Sequence, residues 1–165
     1  MGQIKLSDSL ILEADGANWG SSTYLPKGSI LQLVYNTTTT EKTQTSSTAG
    51  DWTGLATNIT PISSTSHLWV WINAVRLIVD TDSNEARIFL SDGSNSTASY
   101  RLRNYDSDNN YKSFTPNHNW YWPQTHTAGT QITLTPELLS LDNSNNAIWG
   151  DSGSSSMMFI WEIAQ

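Results

Sequence analysis

The 165-residue chain has no cysteine. That excludes disulfides, thiolate metal ligands and cysteine chemistry, and it leaves the redox compartment unreadable. Charge is also scarce. Asp, Glu, Lys and Arg make up 14% of the residues, against about 25% in ordinary soluble domains. The charge present is lopsided, with 8 Lys and Arg against 15 Asp and Glu and a net charge of -7. A nucleic-acid binder presents a basic face, so nucleic acid is not an expected partner. No apolar run approaches the ~18 residues of a membrane span, and no membrane insertion is expected. Met1-Gly2-Gln3-Ile4-Lys5-Leu6 lacks the apolar core of a signal peptide. Helical periodicity is almost missing. Its one compatible stretch, Pro136-Glu137-Leu138-Leu139-Ser140-Leu141, has room for about one turn and reads as a loop element.

In place of charge the chain carries 23 Ser, 20 Thr and 14 Asn, together with eight Trp. Its apolar runs are short and β-branched, and Gly, Asn, Asp, Ser or Pro clusters punctuate them. This is the pattern of an all-β sandwich or barrel with a strand every 8–12 residues or so. Residues 1–25 read as an extended arm, with Ile4 alternating with Leu6, then Leu10, Ile11 and Leu12, interrupted at Gly16 and Gly20. A single domain over 26–165 follows. It opens with Ser29–Tyr35. Residues 36–50 fit either a loop or a Thr-rich exposed strand.

The clearest strand is Leu68-Trp69-Val70-Trp71-Ile72-Asn73-Ala74-Val75. Leu68, Val70, Ile72 and Ala74 share one face, and Trp69, Trp71 and Asn73 the other. A strand apolar on both faces is central, or faces a second sheet or a subunit. The last strand, 157–163, has the same character. Trp69, Trp71, Phe159 and Trp161 are therefore candidate subunit or sheet interface residues. Further strands are expected over 77–79, 86–90, 98–102, 120–122 and 131–134, with turns at Ser91–Ser94 and Asp106–Asn110, where Asp and Asn accept local backbone donors.

Catalytic and metal-binding signatures are weak. No Gly-x-Ser-x-Gly elbow accompanies the three histidines, and His118-x7-His126 matches no zinc spacing. Asp106-x-Asp108-x-Asn110 opens like a calcium loop but has Tyr111 at the sixth position and Asn117 at the twelfth. Glu137 and Glu162 are the acids in apolar surroundings, with Glu162 expected to point outward. No cofactor, no metal and no enzyme activity are expected. Trp19, Trp52, Trp120, Tyr121, Trp122 and Trp149 lie beside polar, turn-like sequence. Such rings either pack a sandwich or stack on sugar faces while Asn and Asp bond the hydroxyls. The best glycan-binding candidates are His118, Trp120, Tyr121, Trp122 and His126.

Lys27-Gly28-Ser29-Ile30-Leu31-Gln32-Leu33-Val34 resembles the Gly-x-Ile-x-Gln-Val opening of a module found in tail-fibre and other appendage proteins of tailed phages, marine and cyanobacterial ones especially. Trp52–Pro61, Ser63–Val70 and the closing Met158–Ile163 resemble later parts of the same module. The likeness covers roughly 27–75 and 155–165. His67 departs from it where a Lys is usual, and so do the extra Trp residues at 69, 71 and 161. The resemblance implies a virion structural protein on the particle exterior, folded as a trimeric jelly-roll-like β-sandwich, and it transfers no catalytic residue. The expected partners are other copies of the chain, other virion proteins through the arm, and host surface glycans. Tail tip and capsid decoration remain open as locations. A monomeric carbohydrate-binding module is the alternative outside this class.

Overall fold

A computed structural model describes residues 26–79, 85–103, 117–141 and 146–165 in full, and the backbone of 3–6, 9–13 and 112–114. Trp19, Gly16, Gly20 and the Asp106–Asn110 turn lie outside the described residues. The described chain is all-β apart from one short 3-10 turn, Thr53–Leu55. Two short strands, β1 (Gln3–Leu6) and β2 (Ser9–Glu13), pair antiparallel with each other. Ile4 lies opposite Leu12 and Leu6 opposite Ser9, and a register shift leaves Ile11 unpaired.

The domain is built from β3 (Ile30–Thr38), β4 (Lys42–Gln44), β5 (Gly50–Asp51), β6 (Thr57–Ile59), β7 (His67–Asn73), β8 (Leu77–Val79), β9 (Glu85–Ser91), β10 (Tyr100–Arg103), β11 (Lys112–Phe114), β12 (Asn117–Trp122), β13 (Ile132–Ser140), β14 (Ala147–Trp149) and β15 (Ser156–Ile163). One sheet has the order β12-β7-β15-β3, and a second has the order β11-β8-β14-β4. Each strand of the second sheet is the chain neighbour of the matching strand of the first, so the two run on as one bent layer. The facing layer has the order β10-β9-β13-β5, with β6 also on β13. Every pairing is antiparallel. Taking β3/β4, β5/β6, β7/β8 and so on as single bent strands leaves eight, four in each layer. Their first and last members are adjacent in one layer and their middle hairpin closes the other. This is the double Greek-key order of a jelly roll.

Leu68, Val70, Ile72, Met158 and Ile160 from one layer and Ala86, Ile88, Leu90, Leu134 and Leu138 from the other belong to one buried core, which also takes in Trp52, Trp120, Trp122 and Trp149. Alternation drives this arrangement, because successive residues of a strand point to opposite faces. At the bend between β14 and β15 the backbone of Gly150 has φ of 93°, and a Cβ there would sit 2.7 Å from the Trp52 ring. Only glycine meets both demands.

Two expectations are corrected. Residues 136–141 do not form a loop: Pro136–Ser140 is the second half of β13, in the middle of its sheet. Proline is tolerated because its carbonyl, which accepts from Trp52 N–H at 2.8 Å, points to the edge where β6 has ended and β5 has not begun. An N–H at Pro136 would point the same way, into that gap, so no ladder bond is lost. Glu162 does not point outward either. It shares the parity of Met158 and Ile160 and is fully buried. The undecided stretch 36–50 holds both structures, with the end of β3, then β4 and β5 separated by turns.

Candidate functional site: an aromatic sheet face

The outward side of the β12-β7-β15-β3 sheet is lined by rings. Register puts Tyr121, Trp69, Trp161 and Leu33 in one cross-strand row, and Asn119, Trp71, Phe159 and Tyr35 in the next. Neighbouring side chains in such a row interact directly. Trp71 stacks on Phe159 at 5.5 Å and on Trp161 at 6.1 Å between centroids, and Tyr35 extends the strip at 6.1 Å from Phe159. At the β12 side the edge of His67 meets Tyr121 at 4.8 Å, with Trp69 at 6.0 Å from the same tyrosine. The four interface residues expected from the sequence, Trp69, Trp71, Phe159 and Trp161, thus lie side by side.

This surface is open to solvent. Tyr35 is 65% exposed, Leu33 49%, Trp69 44% and Tyr121 42%. Its remaining outward positions are Ile30, Thr37, His67, Asn73, Asn117, Met157 and Ile163. None is Asp, Glu, Lys or Arg. It is a charge-free, ring-lined patch on a chain of net charge -7.

The five expected glycan residues do not converge. His118, Trp120 and Trp122 take the inward parity of β12, and Trp120 and Trp122 are only 5% and 3% exposed. Their rings belong to the core and offer no face to a sugar. Tyr121 alone points out, into the aromatic strip. His126 lies in the loop after β12, where its Nε2 is 3.0 Å from both Ser66 Oγ and the Ser63 carbonyl oxygen.

Sequence reasoning missed what His126 belongs to. Glu162 accepts hydrogen bonds from Ser66 Oγ at 2.5 Å, from the Ile62 and Ser63 amides at 2.9 Å, and from Gln32 Nε2 at 2.5 Å. Burial works to raise its pKa, but the bonds from Ser66, the Ile62 amide, Gln32 and the Ser63 amide outweigh it and hold the carboxyl below its ordinary range. The three residue types match a nucleophile, a base and an acid, but their order does not. In a hydrolytic triad the carboxylate orients the histidine and the histidine takes the serine proton. Here the serine hydroxyl donates its hydrogen bond to the carboxylate itself, and Ser66 is 5% exposed. The arrangement clamps the β6–β7 loop to β15. No signal in the sequence pairs residues 62 and 162, although the parity of Glu162 with Ile160 marks it as an inward acid in need of donors.

No family model and no curated protein matches this chain. Among solved structures it is weakly similar to infectious bursal disease virus, Gt strain, at 9% identity over 98% of this chain and 47% of that one, with a TM-score of 0.24. The Gx strain gives 7% identity, 98% and 45% coverage, and the same TM-score of 0.24. The chain therefore spans under half the length of either. A likeness this weak says nothing of what the chain does.

Proposed function

We propose that the chain is a non-catalytic structural subunit of a virion surface, assembled as a homotrimer through the outward face of the β12-β7-β15-β3 sheet. The observation that carries this reading is the charge-free aromatic strip around Trp69, Trp71, Phe159 and Trp161. Interface cores are depleted of charge and enriched in aromatic residues and Met, and this face has that composition, with Ile30, Leu33, Tyr35, Trp69 and Tyr121 exposed on it. The occupant is a second copy of the chain, because two acidic copies repel unless they meet where neither carries charge. The resemblance to phage appendage modules supports the threefold count and the virion setting. Residues 1–25 act as an arm that joins the subunit to other virion proteins.

Light scattering of the purified protein at micromolar concentration should give about three chains per particle. A monomer would overturn the assembly reading. It would favour a carbohydrate-binding module, in which the exposed Tyr121 and Trp69 stack on sugar while His67 and Asn119 stand beside them. Deleting residues 1–25 should leave a folded trimer that no longer incorporates into particles, and normal incorporation would remove the arm from the reading. Imaging particles with a label on this subunit distinguishes a tail tip from a capsid decoration.

A further inference from the structure

Two loops meet at the Glu162 end of the sandwich. In residues 60–66, between β6 and β7, Pro61 and Ser66 alone are buried, and in residues 123–131, between β12 and β13, no residue is. Packing does little to hold the second loop, and its ties are polar. Gly129 N–H donates to the Pro61 carbonyl at 2.8 Å, and His126 Nε2 lies 3.0 Å from both Ser66 Oγ and the Ser63 carbonyl oxygen. The second loop is thus fastened to the first. The first is fastened to Glu162 through the Ile62 and Ser63 amides and Ser66 Oγ.

Counting protons fixes the direction of these bonds. The Ser66 hydroxyl has one proton and two acceptors in reach, the Glu162 carboxylate at 2.5 Å and the Ser63 carbonyl at 2.7 Å. The charged acceptor makes the stronger bond, so the proton goes to Glu162. The Ser66 oxygen and the Ser63 carbonyl then both accept, and the donor they share is His126 Nε2–H. Nδ1, shut off from solvent with no partner, is the bare nitrogen of the ring.

We propose that Glu162, Ser66 and His126 form a latch in series, in which the charge on one buried carboxylate holds both loops closed and, with them, the His67–Tyr121 corner of the aromatic face. His67 follows Ser66 in the chain, and its ring meets Tyr121, on the strand that leads to His126, at 4.8 Å. Register sets Glu162 between Leu68 of β7 and Gln32 of β3. The groups that face it are therefore Leu68, Gln32 and the 62–66 loop, with His126 behind Ser66 as the titratable group among them. Neutralising the carboxylate weakens the acceptor that orders Ser66 and the two amides. The first loop then loses its anchor, and the second loses the loop it is tied to. The ordinary carboxyl value is 4.5 and the fold lowers it, so the latch is closed above 4.5 and opens as pH falls through the lowered value.

Nuclear magnetic resonance of the full-length 15N-labelled protein at neutral pH tests the latch by comparing wild type with Glu162→Gln and His126→Ala. In wild type the amides of 62–66 and 124–130 should have the order parameters of rigid backbone, about 0.85. His126 should carry its proton on Nε2, and a nuclear Overhauser effect should join the His67 and Tyr121 rings. Glu162→Gln keeps the size of the side chain and removes its charge. It should drop both loops below about 0.6 and weaken the ring contact, while β9 and β13 stay rigid. His126→Ala should release 124–130 and leave Ile62 and Ser63 rigid. Acidified wild type, while still folded, should behave as Glu162→Gln does. Mobile loops in wild type, a proton on His126 Nδ1 in place of Nε2, or loosening of Ile62 and Ser63 in His126→Ala would overturn the latch. So would loops that stay rigid, or a ring contact that persists, in Glu162→Gln. Should Glu162→Gln fail to fold, the wild-type tautomer and His126→Ala decide the matter without any change at Glu162.

Discussion

The two outward faces of the sandwich are made of the same kind of strand and carry opposite chemistry. On the β10-β9-β13-β5 layer the outward positions include Arg101, Arg103, Glu85, Arg87, Glu137 and Asp51. Glu85 bonds Arg87 at 2.7 Å and pairs with Arg101. On the β12-β7-β15-β3 sheet the outward positions hold Trp, Tyr, Phe, Met and Asn, without a charge. Both faces turn away from one core, so folding alone does not explain the difference. The first face is suited to water. The second has no charged group for water to solvate, and under the proposed assembly it is the face that meets another copy.

The sharpest way to break this contrast is to make the aromatic face resemble the charged one. Phe159→Lys places an ammonium between Trp71 and Trp161. In a monomer the long side chain can reach solvent and the fold should persist. In a trimer each copy would bury an unpaired charge, at a cost of about 3–5 kcal/mol per interface. Analytical ultracentrifugation should find folded monomers, and a trimer of undiminished stability would show that this face is not the interface.

Moving from an inward ring to an outward one should change the kind of effect. Trp120→Ala removes a core ring and should lower folding stability by about 3–5 kcal/mol, read as a large drop in denaturation midpoint. Trp69→Ala, on the neighbouring strand but facing outward, should change monomer stability by well under half as much and act on assembly. Equal losses of folding stability in the two variants would erase the distinction between the faces.

Acid should act on the inward face first. His118 has an ordinary pKa of 6.5 and is held at about 4 in the fold by burial. Its contribution is therefore fully present above 6.5 and drains away as pH falls towards 4. Glu162 starts from 4.5 and is lowered in the fold, so its contribution is present above 4.5 and is lost as pH falls through the folded value. The two slopes have the same sign. The melting temperature should fall with acidification from pH 6.5 and more steeply below 4.5. His118→Phe should flatten the upper part of that curve. Glu162→Gln should flatten the lower part and cost about 1.5–3 kcal/mol at neutral pH, since a charged acceptor is lost. A wild-type melting temperature level between pH 6.5 and 4.5 would contradict the His118 assignment, and one level below 4.5 would contradict that of Glu162.

How legible these faces were in the sequence depends on how far each strand ran without interruption. Strand β7 showed both of its faces correctly, because Leu68, Val70 and Ile72 alternate cleanly with Trp69 and Trp71. In β12 the same period was present, with His118, Trp120 and Trp122 against Asn117, Asn119 and Tyr121. It is obscured because Pro116, Pro123 and the asparagines resemble loop chemistry, which makes Trp120 and Trp122 look like rings of a glycan surface. Strand β13 was hidden by Pro136, whose tolerance depends on a gap between two other strands. The clamp on Glu162 and the pairing of the aromatic rows depend on residues 48 to 130 positions apart, which register creates and no local pattern announces.

The smallest expected effect belongs to the charged face. The Arg101 side chain is 56% exposed, and its partner Glu85 is 5% exposed and also bonded to Arg87. Removing the outer arginine leaves the buried carboxylate with its other partner, so no orphaned charge results. Exposed ion pairs are worth about 0.2–1 kcal/mol and are screened by salt. Arg101→Ala should therefore lower the melting temperature slightly, by less still at high salt, and leave the number of chains per particle unchanged. That last readout bears on the comparison between the faces. If losing one surface arginine altered the oligomer, the charged layer would be part of the interface, and the division between a face for water and a face for another copy would fail.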